Sequence, residues 1–208
     1  MGTNVELRPM GPSAVLVQLA DRSPAAVASA IRDELASVIV DVVPAASTVL
    51  VRLSPSVVAD QRLFDRLATV VDSTTAVHEQ RRGRTIEVPV VYDGEDLVEV
   101  ASTVGLSVSE LIFIHGEHPH TAAFCGFSPG FAYLEVADPR LNIPRRSTPR
   151  TRVSAGSVAL AAGYTAVYPV DSPGGWHVIG HTSLKMWDPS RSGPSLVEPG
   201  DHVRFIPT

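Results

Sequence analysis

From about residue 118 onward the chain is punctuated by turn-forming pairs, among them Pro129-Gly130, Asp138-Pro139, Gly174-Gly175 and Pro199-Gly200. Between them stand short apolar runs such as Ser157 to Ala162 and Thr165 to Tyr168. Proline fixes φ and lacks an N–H, and glycine alone takes positive φ freely, so long helices cannot run through this spacing whereas short strands can. The second half is therefore expected to be all-β, most simply a barrel. Glu198-Pro199-Gly200-Asp201 would turn the chain into a closing strand at His202 to Ile206.

The first eighty residues follow another pattern. Ser13 to Leu19 is a Val- and Leu-rich run, and Ser23 is a plausible N-cap with Pro24 at the first helical position. Val27, Ile31 and Leu35 recur every four residues, which predicts a helix with one apolar stripe against a sheet. Val38 to Val43 and Thr48 to Leu53 are β-branched runs joined by a hairpin-like connection. Leu63, Leu67, Val70 and Val71 then share a helical face within residues 57 to 71. Strands and helices mixed in this way predict a ferredoxin-like α+β layer.

The charged stretch Glu79-Gln80-Arg81-Arg82-Gly83-Arg84 interrupts the pattern as a domain junction does, and reads as a solvated hinge more than as a basic run that binds anions. It divides the chain into a ferredoxin-like α+β domain over 1–83 and an all-β domain over 84–208 that opens with a strand at Thr85 to Tyr92 and short helices. The first helix carries Leu97, Val100, Ala101 and Val104 and stops at Gly105. The second starts at a capping box, Ser107 with Glu110, with Leu106 and Leu111 as its hydrophobic staple. His115 falls near its end.

With 208 residues, 44% hydrophobic and 19% charged, the chain can bury a real core. A formal charge of -5 argues against general nucleic-acid binding. No apolar run approaches the roughly 20 residues of a membrane span, and Met-Gly-Thr-Asn-Val-Glu does not resemble a secretory signal, so a cytoplasmic location is expected. The single cysteine, Cys125, excludes an intramolecular disulfide and a multi-cysteine zinc site.

Several residues can carry chemistry. Gly126-Phe127-Ser128-Pro129-Gly130 matches the Gly-x-Ser-x-Gly pattern of a nucleophile elbow, but an elbow uses the N–H after the serine as an oxyanion donor and Pro129 has none. His115, at a helix C-terminus, is expected to be held protonated by the helix dipole and to serve either as an acid–base group or as a carbonyl cap. His118 and His120 share a face if extended, as metal ligands do, but Pro119 and the lack of a third ligand argue against a metal. Cys125 is either a nucleophile or a buried apolar thiol. Arg140, Arg145, Arg146, Arg150 and Arg152 interleave with Pro139, Pro144 and Pro149, which suits either rigid guanidinium clamps for a carboxylate or phosphate, or an exposed basic loop. Asp171 to Trp176 reads as a tight turn in which Gly174 and Gly175 permit close approach and Trp176 stacks on a ligand or plugs the core.

His115, the run Gly126-Phe127-Ser128-Pro129-Gly130-Phe131-Ala132-Tyr133-Leu134, Pro144-Arg145, Pro149-Arg150 and Ala155-Gly156-Ser157-Val158 stand in a characteristic order. They are followed by Tyr168-Pro169, Ser172 to Trp176, Ile179-Gly180 and Pro199-Gly200-Asp201. In this the chain resembles the family of the 5-oxoprolinase B subunit, also called allophanate hydrolase subunit 1 or Kip-type kinase inhibitor. The earlier segment fits through Val88-Pro89-Val90 and Gly94-Glu95-Asp96.

The resemblance implies a ferredoxin-like domain followed by a cyclophilin-like β-barrel, related to the carboxyltransferase halves of urea carboxylase. It implies two partners: a larger homologous subunit, of the type of the 5-oxoprolinase C subunit or allophanate hydrolase subunit 2, and a third, lactam-handling subunit. Together they would open 5-oxoproline to glutamate with ATP, this chain being inactive alone, with no covalent cofactor, no metal site and neither a nucleic-acid nor a membrane partner. By the same resemblance His115 is the catalytic candidate. Arg145, Arg150, the loop residues Gly126, Phe127, Pro129, Gly130 and Phe131, and the turn residues Gly174, Gly175 and Trp176 would bind substrate.

Two other functions stay open on the same resemblance. One is inhibition of a sensor histidine kinase; the other is an allophanate- or urea-processing role, with biotin arriving on another protein because the chain has no Met-Lys-Met motif. The chain also departs from the family pattern, with Tyr164-Thr165-Ala166 in place of Gln-Thr-Gly and Gly180-His181-Thr182 in place of Gly-Arg-Thr. A phenol and an imidazole reproduce neither an amide pair nor a guanidinium fork, so these positions bear on substrate identity.

Overall fold

The structure, a computed structural model, describes residues 5–74 and 83–208. The chain divides into two compact units, Met1–Arg82 and Gly83–Thr208. Residues 79–82 of the charged stretch expected at the junction lie outside the described residues.

The first unit runs β1 (Val5–Pro9), β2 (Ala14–Leu19), α1 (Pro24–Leu35), β3 (Ile39–Pro44), β4 (Thr48–Leu53) and α2 (Gln61–Ser73). Ser23 caps α1 by accepting from the Ala26 N–H, and Asp60 caps α2 by accepting from the Leu63 N–H at 3.0 Å. Val27, Ile31 and Leu35 of α1 and Leu63, Leu67, Val70 and Val71 of α2 pack on Val15, Val17, Val49 and Val51 of the sheet. The sheet is antiparallel throughout, in the order β1-β2-β4-β3. From β2 to α2 the elements follow the β-α-β-β-α-β ferredoxin-like layout, and β1 takes the place of its last strand from the N-terminal side.

Strand β1 escaped sequence reading because it is five residues long and half exposed. The β3 edge is blocked where it matters. Asp41 accepts from the Val42 N–H at 2.8 Å and the Arg32 guanidinium donates to the Val42 carbonyl, so neither group is left for another strand.

The second unit begins with β5 (Thr85–Val90), α3 (Leu97–Thr103) and α4 (Val108–Glu117), then turns almost wholly to strands. These are β6 (His120–Cys125), β7 (Ala132–Glu135), β8 (Arg150–Val153), β9 (Ser157–Ala161), β10 (Tyr164–Val167), β11 (Ser172–Gly174), β12 (His177–His181) and β13 (His202–Pro207). The capping box is present, with Ser107 and Glu110 each bonding the other's backbone N–H. Seven strands form one sheet, β12-β9-β10-β7-β6-β13-β5, in which only the β13–β5 pair is parallel.

The chain beyond β5 closes this sheet on itself. Val91 and His181 exchange backbone hydrogen bonds of 2.9 Å, and Gly94 and Asp96 donate to the Ile179 and Val178 carbonyls. All seven strands contribute to one buried cluster, including Val88, Leu134, Leu160, Val167, Ile179 and Phe205, so the barrel interior is a packed core. The β8–β11 pair adds a second layer, and Val153 of β8 packs with outward-facing Ala159, Ala161, Ala166 and Tyr168.

Candidate functional site

Strand alternation sorts the side chains into two sets. On β10, Tyr164 and Ala166 pack in the outer cluster, Val167 packs in the interior one and Thr165 bonds to interior His115. Leu134 of β7 faces inward and Tyr133 outward in the same way.

The outer set is an aromatic wall. Phe124 and Tyr133 stack with centroids 4.2 Å apart and planes at 17°, and Tyr164 meets both edge-on at 5.7 Å. Phe131 meets Tyr133 at 5.0 Å, Tyr168 at 5.4 Å and Trp176 at 5.6 Å, all edge to face. A register shift between Ala122 and Phe124 in β6 accompanies the turn of Phe124 to this side.

The 126–131 loop is a tight turn between strands β6 and β7, not the strand-to-helix corner of an elbow. Ser128 N–H donates to the Gly126 carbonyl at 2.8 Å and Phe131 N–H to the Ser128 carbonyl at 3.0 Å. Phe127 takes φ +68° in the left-handed region and remains 62% exposed, its ring reaching Phe131 at 5.3 Å and Tyr168 at 6.5 Å. Left-handed backbone at a bulky residue costs about 1 to 2 kcal/mol, so Phe127→Gly is expected to be more stable than Phe127→Ala by about 1 kcal/mol. At an exposed site with negative φ the order is the reverse. Denaturant melts of the two variants check this, and equal midpoints would show a relaxed backbone.

On its other side the loop borders an open cleft of about 460 Å³ with Cys125, Trp187, Ser195 and residues 197–199. Gly126, Pro129 and Gly130 belong to this cleft, and a Cβ on Gly130 would come within 2.8 Å of the Trp187 Cβ. Burial and the carboxylates of Asp201 and Glu198 push the Cys125 thiol up to about 11, so it is an inert thiol at neutral pH.

The segment 171–176, expected to be a tight turn, is instead extended: Ser172–Gly174 form β11 paired with β8, Gly174 does not take positive φ, and the segment packs under the wall. The Tyr168 hydroxyl fills the space that a Cβ on Gly174 would need. Burial raises the Tyr168 phenol, the neighbouring Tyr133 adds to this, and Arg145 and Arg150 oppose it. Burial likewise raises Tyr164, with Glu135 and Tyr133 adding to it. Both phenols are therefore proton donors at neutral pH.

The five arginines separate: Arg146 and Arg150 clamp Asp96, and Arg140 and Arg152 pair with Asp138 and Asp171. Asp96, with its side chain only 3% exposed, accepts from Arg146 Nη1 at 2.6 Å, Arg150 Nη2 at 2.7 Å and the Val178 N–H at 2.7 Å. Burial alone would raise the Asp96 carboxyl, but the bonds from Arg150 and Val178 and the charges of Arg150 and Arg146 hold it below its ordinary value. Arg146 N–H also donates to the Gly175 carbonyl, which ties the arginine loop to the 171–176 segment. Arg150 thus grips a carboxylate of its own chain. Arg145, by contrast, is exposed and has no ion pair among the described residues.

His115 lies elsewhere. It is fully buried inside the barrel, stacked on Phe205 at 4.5 Å, with Nδ1 2.7 Å from the Tyr92 hydroxyl and Nε2 2.9 Å from the Thr165 hydroxyl. The expected protonated ring is corrected by the structure: burial first, and His120 second, hold its pKa well below the ordinary histidine value. Desolvation outweighs the helix dipole. His120 is buried too, donating from Nε2 to the His115 carbonyl and accepting the Ala137 N–H at Nδ1, while His118 is exposed, so the two do not share a ligand face. No group of three His, Cys, Asp or Glu residues converges among the described residues.

Both buried rings are neutral in the folded state and take up protons on unfolding below about pH 6.5. Stability is therefore complete above that pH and falls as pH drops through it, by up to about 1.4 kcal/mol per pH unit for each ring. Denaturant titrations between pH 7.5 and 5.5 test this; a flat profile would contradict neutral burial.

Sequence reading placed His115, Arg145, Arg150, Gly126, Phe127, Pro129, Gly130, Phe131, Gly174, Gly175 and Trp176 in one site, whereas the structure sets only Phe127, Phe131, Gly174 and Trp176 around Tyr168, with Gly126, Pro129 and Gly130 on the Trp187 cleft, Gly175, Arg145 and Arg150 at the arginine loop and His115 inside the barrel. As members of a site, sequence reading missed Asp96, Tyr168, Tyr133 and Phe124. The alternation of Phe131 with Tyr133, and of Tyr164, Ala166 and Tyr168, was the available signal for the wall.

Residues 5–197 match the family of the carboxyltransferase domain, subdomains C and D. The chain is 42% identical over 163 residues to the 5-oxoprolinase B subunit of Escherichia coli O157:H7, covering 77% of this chain and 73% of that one. It is 43% identical over 128 residues to the 5-oxoprolinase B subunit of Haemophilus influenzae, covering 60% of each. The chain belongs to the family of the 5-oxoprolinase B subunit. Among solved structures, TTHA0988 is similar with a TM-score of 0.77 and 34% identity, over 98% of this chain and 40% of that one.

Proposed function

We propose that the chain is the B subunit of an ATP-dependent 5-oxoprolinase, acting in the cytoplasm with a larger homologous subunit and a third, lactam-handling subunit. The observation that carries this reading is the 42% identity to the Escherichia coli B subunit over most of the chain. The chemistry of the wall agrees with it. A lactam is a stabilised amide, and opening it requires its carbonyl to be activated and the developing negative charge to be met by donors. The wall offers flat aromatic faces and protonated phenols, and the Arg145 guanidinium acts on Tyr168 by its charge; together they would bind and orient a small planar substrate. It offers no ionised nucleophile: the Cys125 thiol stays protonated and the Ser128 hydroxyl is buried.

The reacting groups and the nucleotide would therefore come in good part from the partner subunits. The chain itself has no Gly-x-x-x-x-Gly-Lys-Ser/Thr segment to cradle phosphates. His115 keeps a role in this proposal only as a relay inside the barrel, through Tyr92 and Thr165.

Co-expression with the two other subunits tests the reading, with ATP-dependent formation of glutamate from 5-oxoproline as the readout. Activity is expected from the assembled complex and none from this chain alone. A stable, correctly assembled complex without turnover would overturn it.

A further inference from the structure

The cleft beside Trp187 lies on the far side of the 126–131 loop from the aromatic wall, and at about 460 Å³ it has the size of a ligand pocket. Phe127, Pro129, Trp187, Val197 and Pro199 give it apolar sides. The two rings among them reach solvent, Phe127 being 62% and Trp187 38% exposed. Backbone holds these sides in place. Trp187 pairs with Ser195, the Leu196 N–H donates to the Met186 carbonyl at 2.8 Å, and Gly130 packs so close to Trp187 that no Cβ would fit between them. A ligand would meet a site already shaped, which lowers the cost of ordering it.

The charge of the cleft has one sign. Glu198 supplies the one charged side chain in the described lining, and among the described residues its exposed carboxylate makes no hydrogen bond or ion pair. Arg84, whose charge reaches it, is already bonded to Asp201 at 2.8 Å. The Glu198 N–H donates to the same Asp201 carboxylate at 3.0 Å, so the backbone that carries the unpaired carboxylate is fixed. The field is felt inside: burial first, then the charges of Asp201 and Glu198, hold the Cys125 thiol protonated. An anion, the carboxylate of a small acid included, is repelled here and a cation is drawn in. Aromatic rings and a carboxylate together suit a flat cation best, because a guanidinium stacks on rings and pairs with a carboxylate through two N–H groups.

We propose that this cleft is a docking site for an arginine side chain of a partner polypeptide, its guanidinium paired with Glu198 and laid against Phe127 and Trp187. A polypeptide is the occupant rather than a free metabolite because the cleft is open and its exposed rings leave apolar surface that a larger body covers. Tryptophan and arginine are also the side chains that most often carry the binding energy of protein interfaces. The site is additional to the functional reading above and holds whichever reaction the assembly carries out.

The test uses the full chain alone at constant ionic strength, titrated into the millimolar range with N-acetyl-arginine N-methylamide, with its uncharged isostere of citrulline, and with the norleucine equivalent. Backbone amide shifts and the Trp187 indole N–H are the readout. The arginine compound should give saturable shifts centred on residues 126–130 and 195–198 and bind about tenfold more tightly than the other two, the gain from one charge-assisted pair. Glu198→Gln, at an exposed side chain with no bond of its own to lose, should remove that preference. Trp187→Leu, which keeps apolar bulk, should weaken the arginine compound about threefold, the scale of a cation–π contact at an exposed site. Glu99→Gln, an exposed carboxylate that lines a separate cavity, should change nothing. No saturable binding of the arginine compound, equal binding of its uncharged isostere or of norleucine, or the same loss from Glu99→Gln as from Glu198→Gln overturns the site. Shifts of the same amides on raising the protein concentration without ligand would make a second copy the occupant and overturn it too.

Discussion

Asp96→Ala is expected to cost the second unit about 3 to 5 kcal/mol, the range for removing one partner of a buried, hydrogen-bonded ion pair. The loss has three parts. Two partly buried guanidinium groups, on Arg146 and Arg150, lose the carboxylate that neutralises them, and the buried Val178 N–H loses its acceptor. The connection between the arginine loop and the Gly175–His177 segment then rests on the Arg146–Gly175 backbone bond, the bond between His177 Nε2 and the Pro144 carbonyl at 3.1 Å, and a long contact from Arg150 Nη1 to the Trp176 carbonyl at 3.5 Å. Asp96→Asn keeps the shape and one acceptor, so it should fall between wild type and alanine. Acid provides a second readout. A carboxyl held below its ordinary value contributes stability that is complete above about pH 4 and is lost as pH falls through its folded value. The wild type should therefore steepen its acid unfolding below pH 4 relative to Asp96→Asn, as urea melts across pH 5 to 2.5 would show. Parallel curves would mean that the clamp contributes nothing beyond packing.

Gly94→Ala is expected to cost about 3 kcal/mol, at the upper end of overpacking, because the added methyl has no room to relax. A Cβ there would overlap the Val178 carbonyl oxygen and the Ile179 carbonyl carbon, which are backbone atoms of the facing strand. The seam residues would have to separate, breaking the Gly94–Ile179 and Asp96–Val178 bonds together. Hydrogen exchange reads this directly. Amides 91 to 96 should lose protection in Gly94→Ala while those of the first unit keep theirs. Wild-type protection across the seam would refute the close approach.

What was legible in the sequence was local. The Ser23 cap, the Ser107–Glu110 box and the stripe of Val27, Ile31 and Leu35 depend on neighbours within four positions, so pattern alone finds them. The glycine and proline pairs marked the β-half for the same reason. The Asp96 clamp was hidden because its partners stand 50 and 54 positions away, and no periodicity links an acid after β5 to a loop before β8. His115 shows local reasoning overruled: its place on the helix argued for a charged ring, but Phe205 and Thr165 arrive from remote strands and Tyr92 from the segment after β5, and they exclude the water that a charge requires. The wall lay in between, since alternation around Phe131 and Tyr164 was present but set in strands of four residues, too short to stand out from their turns.

The parallel pairing of β5 with β13 also sets a schedule for synthesis. The Arg84 N–H at the start of β5 bonds to the Asp201 carboxylate 117 positions later, so the barrel cannot close until nearly the whole second unit has left the ribosome. In the first unit, by contrast, all sheet pairings lie within residues 5 to 53, and its fold can form while the barrel is still being made. During that interval β5 has an unpaired edge and apolar residues with nothing to cover them, the condition in which chains aggregate or recruit chaperones. The second unit should therefore be the slower to fold and the first to be lost when synthesis is hurried or cut short.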